Sequence, residues 1–182
     1  MAPTPRLSTE RVIDCAVDLV DTQGFDALSL TSVADALSVA PSALYTYCDG
    51  LEGLRHLVAV AATNNLTDGL RNAAIGTSGD DALNAMGTAY RGFALDHAGQ
   101  FASTLRPARG SVELAAANDS LLSVFVLVYA AMGLDEDRSH LAARSTRSAL
   151  HGFLALEHTT GTSEEHADEY QHLLDALQRG LS

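Results

Sequence analysis

Apolar side chains recur along the chain with a helical period. In the first stretch Ile13, Ala16, Val17 and Val20 are spaced i, i+3, i+4 and i+7, which places them on one face of an α-helix. No alternating apolar and polar pattern of the kind typical of a β-strand lasts more than a few residues. The pattern therefore predicts an all-α protein.

Capping and turn residues divide the first fifty residues into three helices. The first is expected to run to about residue 22 and to stop at Gly24. Thr31 is expected to cap a second helix over about 31–37, and Pro41 suits the first turn of a third, where its missing N–H costs nothing. These signals predict a three-helix helix-turn-helix domain over residues 1–50.

The rest of the chain, residues 51–182, is predicted to form a second domain that is also all-helical. A long helix over 51–74 is expected to link the two domains, and "IGTSGDD" at 75–81 reads as a turn. Three further long helices are expected at about 111–132, 135–158 and 164–179, with Ser163 as the cap of the last one.

Composition and charge narrow the class of protein. The chain has 23 acidic and 11 basic residues, a net charge of −12, which argues against broad attraction to nucleic acid or anionic membranes but allows a local DNA-binding face. The N-terminus has no apolar segment of the kind found in a signal peptide, and the longest apolar run, 121–134, is too short to span a bilayer. Cys15 and Cys48 fit neither a disulfide framework nor a zinc motif. We therefore expect a cytoplasmic protein that has no contact with membranes.

The stretch "GFDALSLTSVADALSVAPSALYTYCDGLEGL" resembles the DNA-binding part of TetR-family transcriptional regulators. The resemblance covers about the first third of the chain and includes a Leu-Tyr-x-Tyr ending at 44–47, followed by a polar turn and a long helix. Two later stretches, "AYRGFALDHAGQF" at 89–101 and "RSALHGFLALEHT" at 147–159, resemble elements of one C-terminal type in the same family. The last of these contains a Leu-His-Gly element.

The resemblance implies which residues contact DNA. Thr31 and Ser32, at a helix N-terminus, would bind phosphate, and Tyr45 would reach a phosphate through its hydroxyl. For Tyr45 and Tyr47 the alternative is packing between the third and fourth helices. The remaining positions are base-edge contacts and a contact from the N-terminal arm: Ser42, Ala43, Thr46 and Arg6.

The sequence departs from the family pattern at the start of the long helix, where Leu51 replaces a lysine that usually grips a phosphate. In residues 1–60 only three arginines face eight acidic residues, so we expect modest DNA affinity with a shallow salt dependence. The leading hypothesis is a sequence-specific transcriptional regulator, most simply a repressor released by a small apolar or amphipathic ligand. The alternative is a ligand-binding or protein-interaction module of the same fold that binds DNA weakly or not at all.

The resemblance also implies an effector cavity and a homodimer in the second domain. The dimer would use the helices at about 135–158 and 164–179. For each candidate lining residue the alternative is plain core packing, and His97 and Tyr129 are the candidates for orienting a ligand by a hydrogen bond. The candidates are large apolar or amphipathic side chains at helical spacing: Met86, Tyr90, Phe93, His97, Phe101, Leu105, Phe125, Tyr129 and Met132.

Catalytic chemistry is not indicated by any motif. The sequence has no nucleophile elbow and no Gly-rich phosphate loop, and no two histidines are spaced i, i+4 on one helix. Asp168 and His172 have that spacing with His166 nearby, but a solvated helix face explains them more simply. We therefore expect no enzyme activity, no metal site and no cofactor.

Overall fold

In a computed structural model, residues 6–161 and 164–181 form helices and turns, with no strand among them. This confirms the all-α expectation. The α-helices are α1 (Thr9–Gln23), α2 (Leu30–Leu37), α3 (Gly50–Ala74), α4 (Gly79–Asp96), α5 (Ala98–Ser103), α6 (Val112–Ala131), α7 (Glu136–Thr160) and α8 (Glu164–Leu181). Short 3₁₀ helices at Phe25–Ala27 and Pro41–Thr46 complete the described part of the chain. The predicted cap at Ser163 lies outside the described residues.

Two of the predicted helix signals need correction. The cap of α2 is Ser29 rather than Thr31, because Ser29 accepts from the N–H of Ser32 while its own N–H donates to the Ser32 hydroxyl. The third helix is a 3₁₀ helix, Pro41–Thr46, which we call the recognition segment. The position of Pro41 in its first turn is as expected.

The chain packs as two compact units. The first unit comprises the residues up to Thr63 together with His97–Ala117, and the second comprises Asn64–Asp96 together with Asn118–Ser182. Helix α5 and the loop after it therefore pack with the N-terminal helices. The predicted functional boundary at residue 50 does not coincide with this division.

The core of the first unit joins α1, α2 and the start of α3. Val12, Ala16 and Val20 of α1 are fully buried, whereas Ile13 and Val17 of the predicted stripe are half-buried, so the buried face is centred one residue earlier than predicted. Helix α5 approaches α1 so closely that a Cβ on Gly99 would lie 1.8 Å from the carbonyl oxygen of Val20. Only glycine fits there, which fixes α5 against the C-terminal end of α1.

Helix α6 is the most apolar helix of the chain. It has 20 residues and is therefore longer than the apolar run at 121–134. By length and composition alone it could cross a membrane. A core helix can have the same length and composition, and Leu114, Leu121, Phe125 and Tyr129 of α6 are fully buried in the structure. The helix is therefore weak evidence for a membrane.

Candidate functional site

The recognition segment has one buried and one open side. Leu44 is fully buried and Cys48 is 7% exposed, so the segment is held against the core of the first unit. Tyr45, by contrast, is 63% exposed. Ser42 and Thr46 are also exposed, and Ala43 is half-buried. The segment thus presents an aromatic ring and two hydroxyls to solvent from a fixed backbone.

The break before the recognition segment is also fixed by specific residues. Helix α2 ends at Ser38, whose φ of 56° lies in the left-handed region and whose N–H donates back to the carbonyls of Ala34 and Asp35. A non-glycine residue bears some strain there. The angle between α2 and the recognition segment is consequently set by the backbone of Ser38 and by Pro41.

Two predicted DNA contacts have partners within the protein. The hydroxyl of Tyr47 donates to the carbonyl oxygen of Leu7 at 3.0 Å, so its packing role, the alternative from the sequence, has direct support. The hydroxyl of Ser32 takes part in the capping box of α2. Thr31 and Arg6 are exposed.

Two arginines converge on one carboxylate at the start of α3. Glu52 accepts from Arg55 at 3.4 Å and from Arg106, which reaches it from the segment 97–117. The hydrogen bond from Arg106 is the main cause of a lowered pKa at Glu52. Arg106 thus balances an acidic charge at the start of α3, which a count over residues 1–60 omits.

In the second unit the two stretches that resemble family elements meet. The hydroxyl of Tyr90 on α4 lies 3.1 Å from Nδ1 of His151 on α7. The guanidinium of the next residue, Arg91, forms a two-point ion pair with Glu157 of α7, with Nε 3.1 Å from Oε2. Tyr90 and His151, 61 positions apart, and Arg91 and Glu157, 66 positions apart, therefore form one polar layer between α4 and α7.

This layer continues to α6 and α8. The guanidinium of Arg147 on α7 donates to Oδ1 of Asn118 on α6 at 2.8 Å. On α8, the hydroxyl of Tyr170 donates to the carbonyl oxygen of Gly87 at 2.8 Å, beneath the guanidinium of Arg91. The layer therefore links α4, α6, α7 and α8.

Burial shifts two ionisable groups of the layer strongly. It lowers the pKa of His151 to about 4, with a further contribution from the positive charge of Arg147. It raises the pKa of Tyr90 to about 12. At neutral pH both groups are uncharged.

Comparison with known proteins places these elements in a family. Residues 83–177 match the model of a tetracyclin repressor-like C-terminal domain. An HTH-type transcriptional regulator of Mycobacterium tuberculosis is 32% identical over 161 residues, which are 87% of this chain and 74% of that protein. The chain belongs to the TetR family. It is a DNA-binding transcriptional regulator and not an enzyme.

Solved structures of TetR-type proteins share the fold. The TetR family transcriptional regulator PfmR of Thermus thermophilus is 19% identical, with a TM-score of 0.67 over 98% of this chain and 99% of that one. The transcriptional regulator FadR of Bacillus subtilis, solved in complex with stearoyl-CoA, is 13% identical, with a TM-score of 0.72 over 95% of this chain and 99% of that one. At these identities the likeness shows the fold alone.

The nine predicted ligand-lining residues of this TetR-family chain divide between the two units. His97, Phe101 and Leu105 belong to the first unit, where the imidazole of His97 bonds to the Asp21 carboxylate at 2.8 Å and Leu105 is 61% exposed. The second unit holds the other six, of which Met86, Tyr90, Phe125 and Tyr129 are fully buried and Phe93 and Met132 are half-buried.

Both polar groups selected from the sequence as ligand handles have protein partners. His97 is held by Asp21, and the hydroxyl of Tyr129 lies 2.6 Å from the hydroxyl of Thr146. Sequence reasoning missed Arg147 and Asn118. The one available signal in the sequence was the position of Arg147, one turn before the Leu-His-Gly element. An arginine on a helix is usually assigned to the solvent-exposed face.

A cavity of about 420 Å³ lies where the turn between α6 and α7 meets the start of α7 and the end of α8. Of the predicted ligand-lining residues only Met132 contributes to it. The cavity is lined by Met132, Gly133, Leu134, Arg138, Leu141, Ala142 and Gly180.

Acid should destabilise the protein through His151. Below about pH 6.5 an unfolded chain protonates this imidazole, whereas the folded chain keeps it neutral until about pH 4. Its contribution to stability is therefore complete above pH 6.5 and falls as the pH drops, by about 3 kcal/mol in total at pH 4. Urea unfolding at pH 7 and pH 4.5 should show a larger acid loss for wild type than for His151→Gln. Parallel pH profiles for the two proteins would show that His151 is not buried in its neutral form.

Proposed function

We propose that the protein is a homodimeric repressor whose two recognition segments bind a double-stranded operator, and that a small apolar or amphipathic molecule releases it. The observation that carries the proposal is the recognition segment itself, which is anchored through Leu44 and open at Tyr45. A fixed backbone with exposed hydroxyls and an aromatic ring suits insertion into the major groove. We also propose that the protein acts in the cytoplasm.

The DNA contacts that we propose use the exposed polar groups of the first unit. Tyr45 and Thr31 would bind phosphates, while Ser42 and Thr46 would face base edges and Ala43 would touch a thymine methyl. Arg6 would follow the backbone from the N-terminal arm. Ser32 and Tyr47 would act indirectly, by capping α2 and by holding Leu7.

The dimer that we propose is built on α7 and α8. Along α7, Leu141 and Leu156 are 66% and 68% exposed, and the exposed positions between them include the small residues Ser148 and Gly152. Small residues allow a second helix to approach closely, and the two leucines supply apolar area at each end of the contact. A two-fold axis would then present two recognition segments to successive half-sites.

Leu156→Glu is expected to convert the dimer into a monomer, because it would bury a carboxylate without a counter-charge at each end of the proposed two-fold contact. Sedimentation velocity would measure this. The matched control is Leu127→Glu on α6, since Leu127 is 69% exposed but lies off the proposed contact. The homodimer of α7 and α8 would be ruled out if both variants sedimented as wild type does, or if wild type were a monomer at micromolar concentration.

The ligand that we propose binds in the second unit among the buried residues of α4, α6 and α7. Support comes from the match to a tetracyclin repressor-like C-terminal domain and from the stearoyl-CoA complex of a protein with the same fold. Binding would act by population shift: the ligand binds best to a state in which the long helix α3 holds the two recognition segments at a spacing that does not fit the operator.

A further inference from the structure

Arg147 of the second unit is half-buried and forms no ion pair among the described residues. It donates to the amide oxygen of Asn118, and it lies within hydrogen-bonding reach of the Tyr90 hydroxyl. Arg91, in the same layer, is paired with Glu157. Glu157 therefore balances the charge of Arg91, whereas no carboxylate balances the charge of Arg147.

A guanidinium that is partly removed from water without an opposite charge costs free energy. Its hydrogen-bond partners Asn118 and Tyr90 and its neighbour His151 supply no opposite charge to balance the guanidinium. Tyr90 is fully buried and keeps its proton, Asn118 has no charge, and His151 is uncharged at neutral pH. The cluster thus carries one positive charge surrounded by neutral hydrogen-bonding groups.

Apolar side chains lie one and two helical turns further along α6 and one turn further along α7. Leu121 and Phe125 follow Asn118 on one face of α6, and Leu150 follows Arg147 on α7; all three are fully buried. A molecule that reached Arg147 would therefore meet a single cation at one end and hydrocarbon beyond it. These surroundings select a molecule with a single negative charge and an apolar body.

We propose that Arg147 binds the carboxylate of an apolar monocarboxylic acid and that such acids are the effectors of this protein. The proposal rests on the ligand-released regulator proposed above and adds the chemical class of the ligand. The planar fork of a guanidinium matches a carboxylate at two points, and one negative charge neutralises it. A phosphate dianion would leave a net negative charge in the cluster.

The test is a thermal-shift series with matched ligands on the full chain. Straight-chain and aryl-substituted alkanoic acids of 8 to 16 carbons are compared with their own primary amides and alcohols, and with alkyl phosphates of equal length. At saturating concentration the acids should raise the Tm by about 5 °C more than their neutral partners. Arg147→Met should lose this acid-specific difference, and Arg147→Lys should keep part of it, because the charge remains while the fork is lost.

Arg144→Met is the matched control, since it removes the same charge from an exposed position on the same helix. It should leave the acid-specific shift unchanged. Equal shifts with acids and amides in wild type, a larger shift with alkyl phosphates, or an undiminished acid-specific shift in Arg147→Met would each overturn the proposal.

A separate measurement distinguishes this failure from failure of the proposed function. Operator binding by wild type is measured without ligand, alongside the thermal shifts. If wild type binds an operator but no acid stabilises it specifically, the carboxylate proposal fails and the regulator stands. If wild type binds no operator while acids still stabilise it through Arg147, the repressor function fails and the ligand class stands.

Discussion

Tyr45→Ala is expected to remove operator binding while leaving the fold intact. The side chain is 63% exposed on the recognition segment, so its loss should change the free energy of unfolding by no more than about 0.5 kcal/mol. A hydrogen bond to a phosphate contributes about 1.5 kcal/mol or more, and a dimer has two such contacts. The affinity for the operator should therefore fall roughly 100-fold or more. Fluorescence anisotropy with labelled operator DNA measures the loss.

Two control variants show whether the loss of affinity in Tyr45→Ala comes from the hydroxyl, from the ring, or from removing any exposed side chain. Tyr45→Phe removes only the hydroxyl, and an affinity equal to that of Tyr45→Ala would assign the contact to the phosphate. Leu105→Ala removes a side chain of similar exposure, 61%, from the same unit and should bind as wild type does. Wild-type affinity in Tyr45→Ala would mean that the recognition segment is misplaced.

Arg91→Met is expected to destabilise the protein by about 3 kcal/mol or more. Glu157 is 3% exposed, and its only ion-pair partner in the described residues is Arg91. Removing the guanidinium leaves a buried carboxylate without a counter-charge, which is far more costly than replacing both partners. For a chain of this size the Tm should fall by roughly 10 °C. Differential scanning calorimetry measures the change.

The double variant Arg91→Met with Glu157→Leu tests the cause of that loss. It removes the unpaired charge and should recover most of the stability. A double variant no more stable than Arg91→Met would show that the guanidinium stabilises the helices by packing rather than by charge.

Helices were predictable from the sequence because their evidence is local. The spacing of Ile13, Ala16, Val17 and Val20 predicted α1, and Pro41 marked the start of the recognition segment. The cap of α2 was predicted two residues too late, because Ser29 and Thr31 are both good caps and only the reciprocal bond between Ser29 and Ser32 selects the first. Local patterns also do not distinguish a 3₁₀ helix from an α-helix over six residues.

The site was less predictable because its contacts join distant residues. Arg106 meets Glu52 across 54 positions, and Arg147 meets Asn118 across 29. A sequence read without relatives assigns both arginines to a solvated surface by default. Conversely, His97 and Leu105 fitted the helical spacing of the predicted ligand-lining residues, yet they lie in the first unit with α5. Periodicity shows which face of a helix is apolar and does not show which helix packs against it.

Fluorescence anisotropy of labelled DNA, measured across a salt series, tests directly whether this acidic chain reads a specific DNA sequence. Tiled duplexes from upstream of its own gene would be titrated with the full chain against scrambled duplexes of the same composition. We expect saturable binding to at least one native duplex and not to its scrambled partner, with a shallow salt dependence because few arginines are available to phosphates. Equal, weak binding to native and scrambled duplexes at every salt concentration would contradict this expectation.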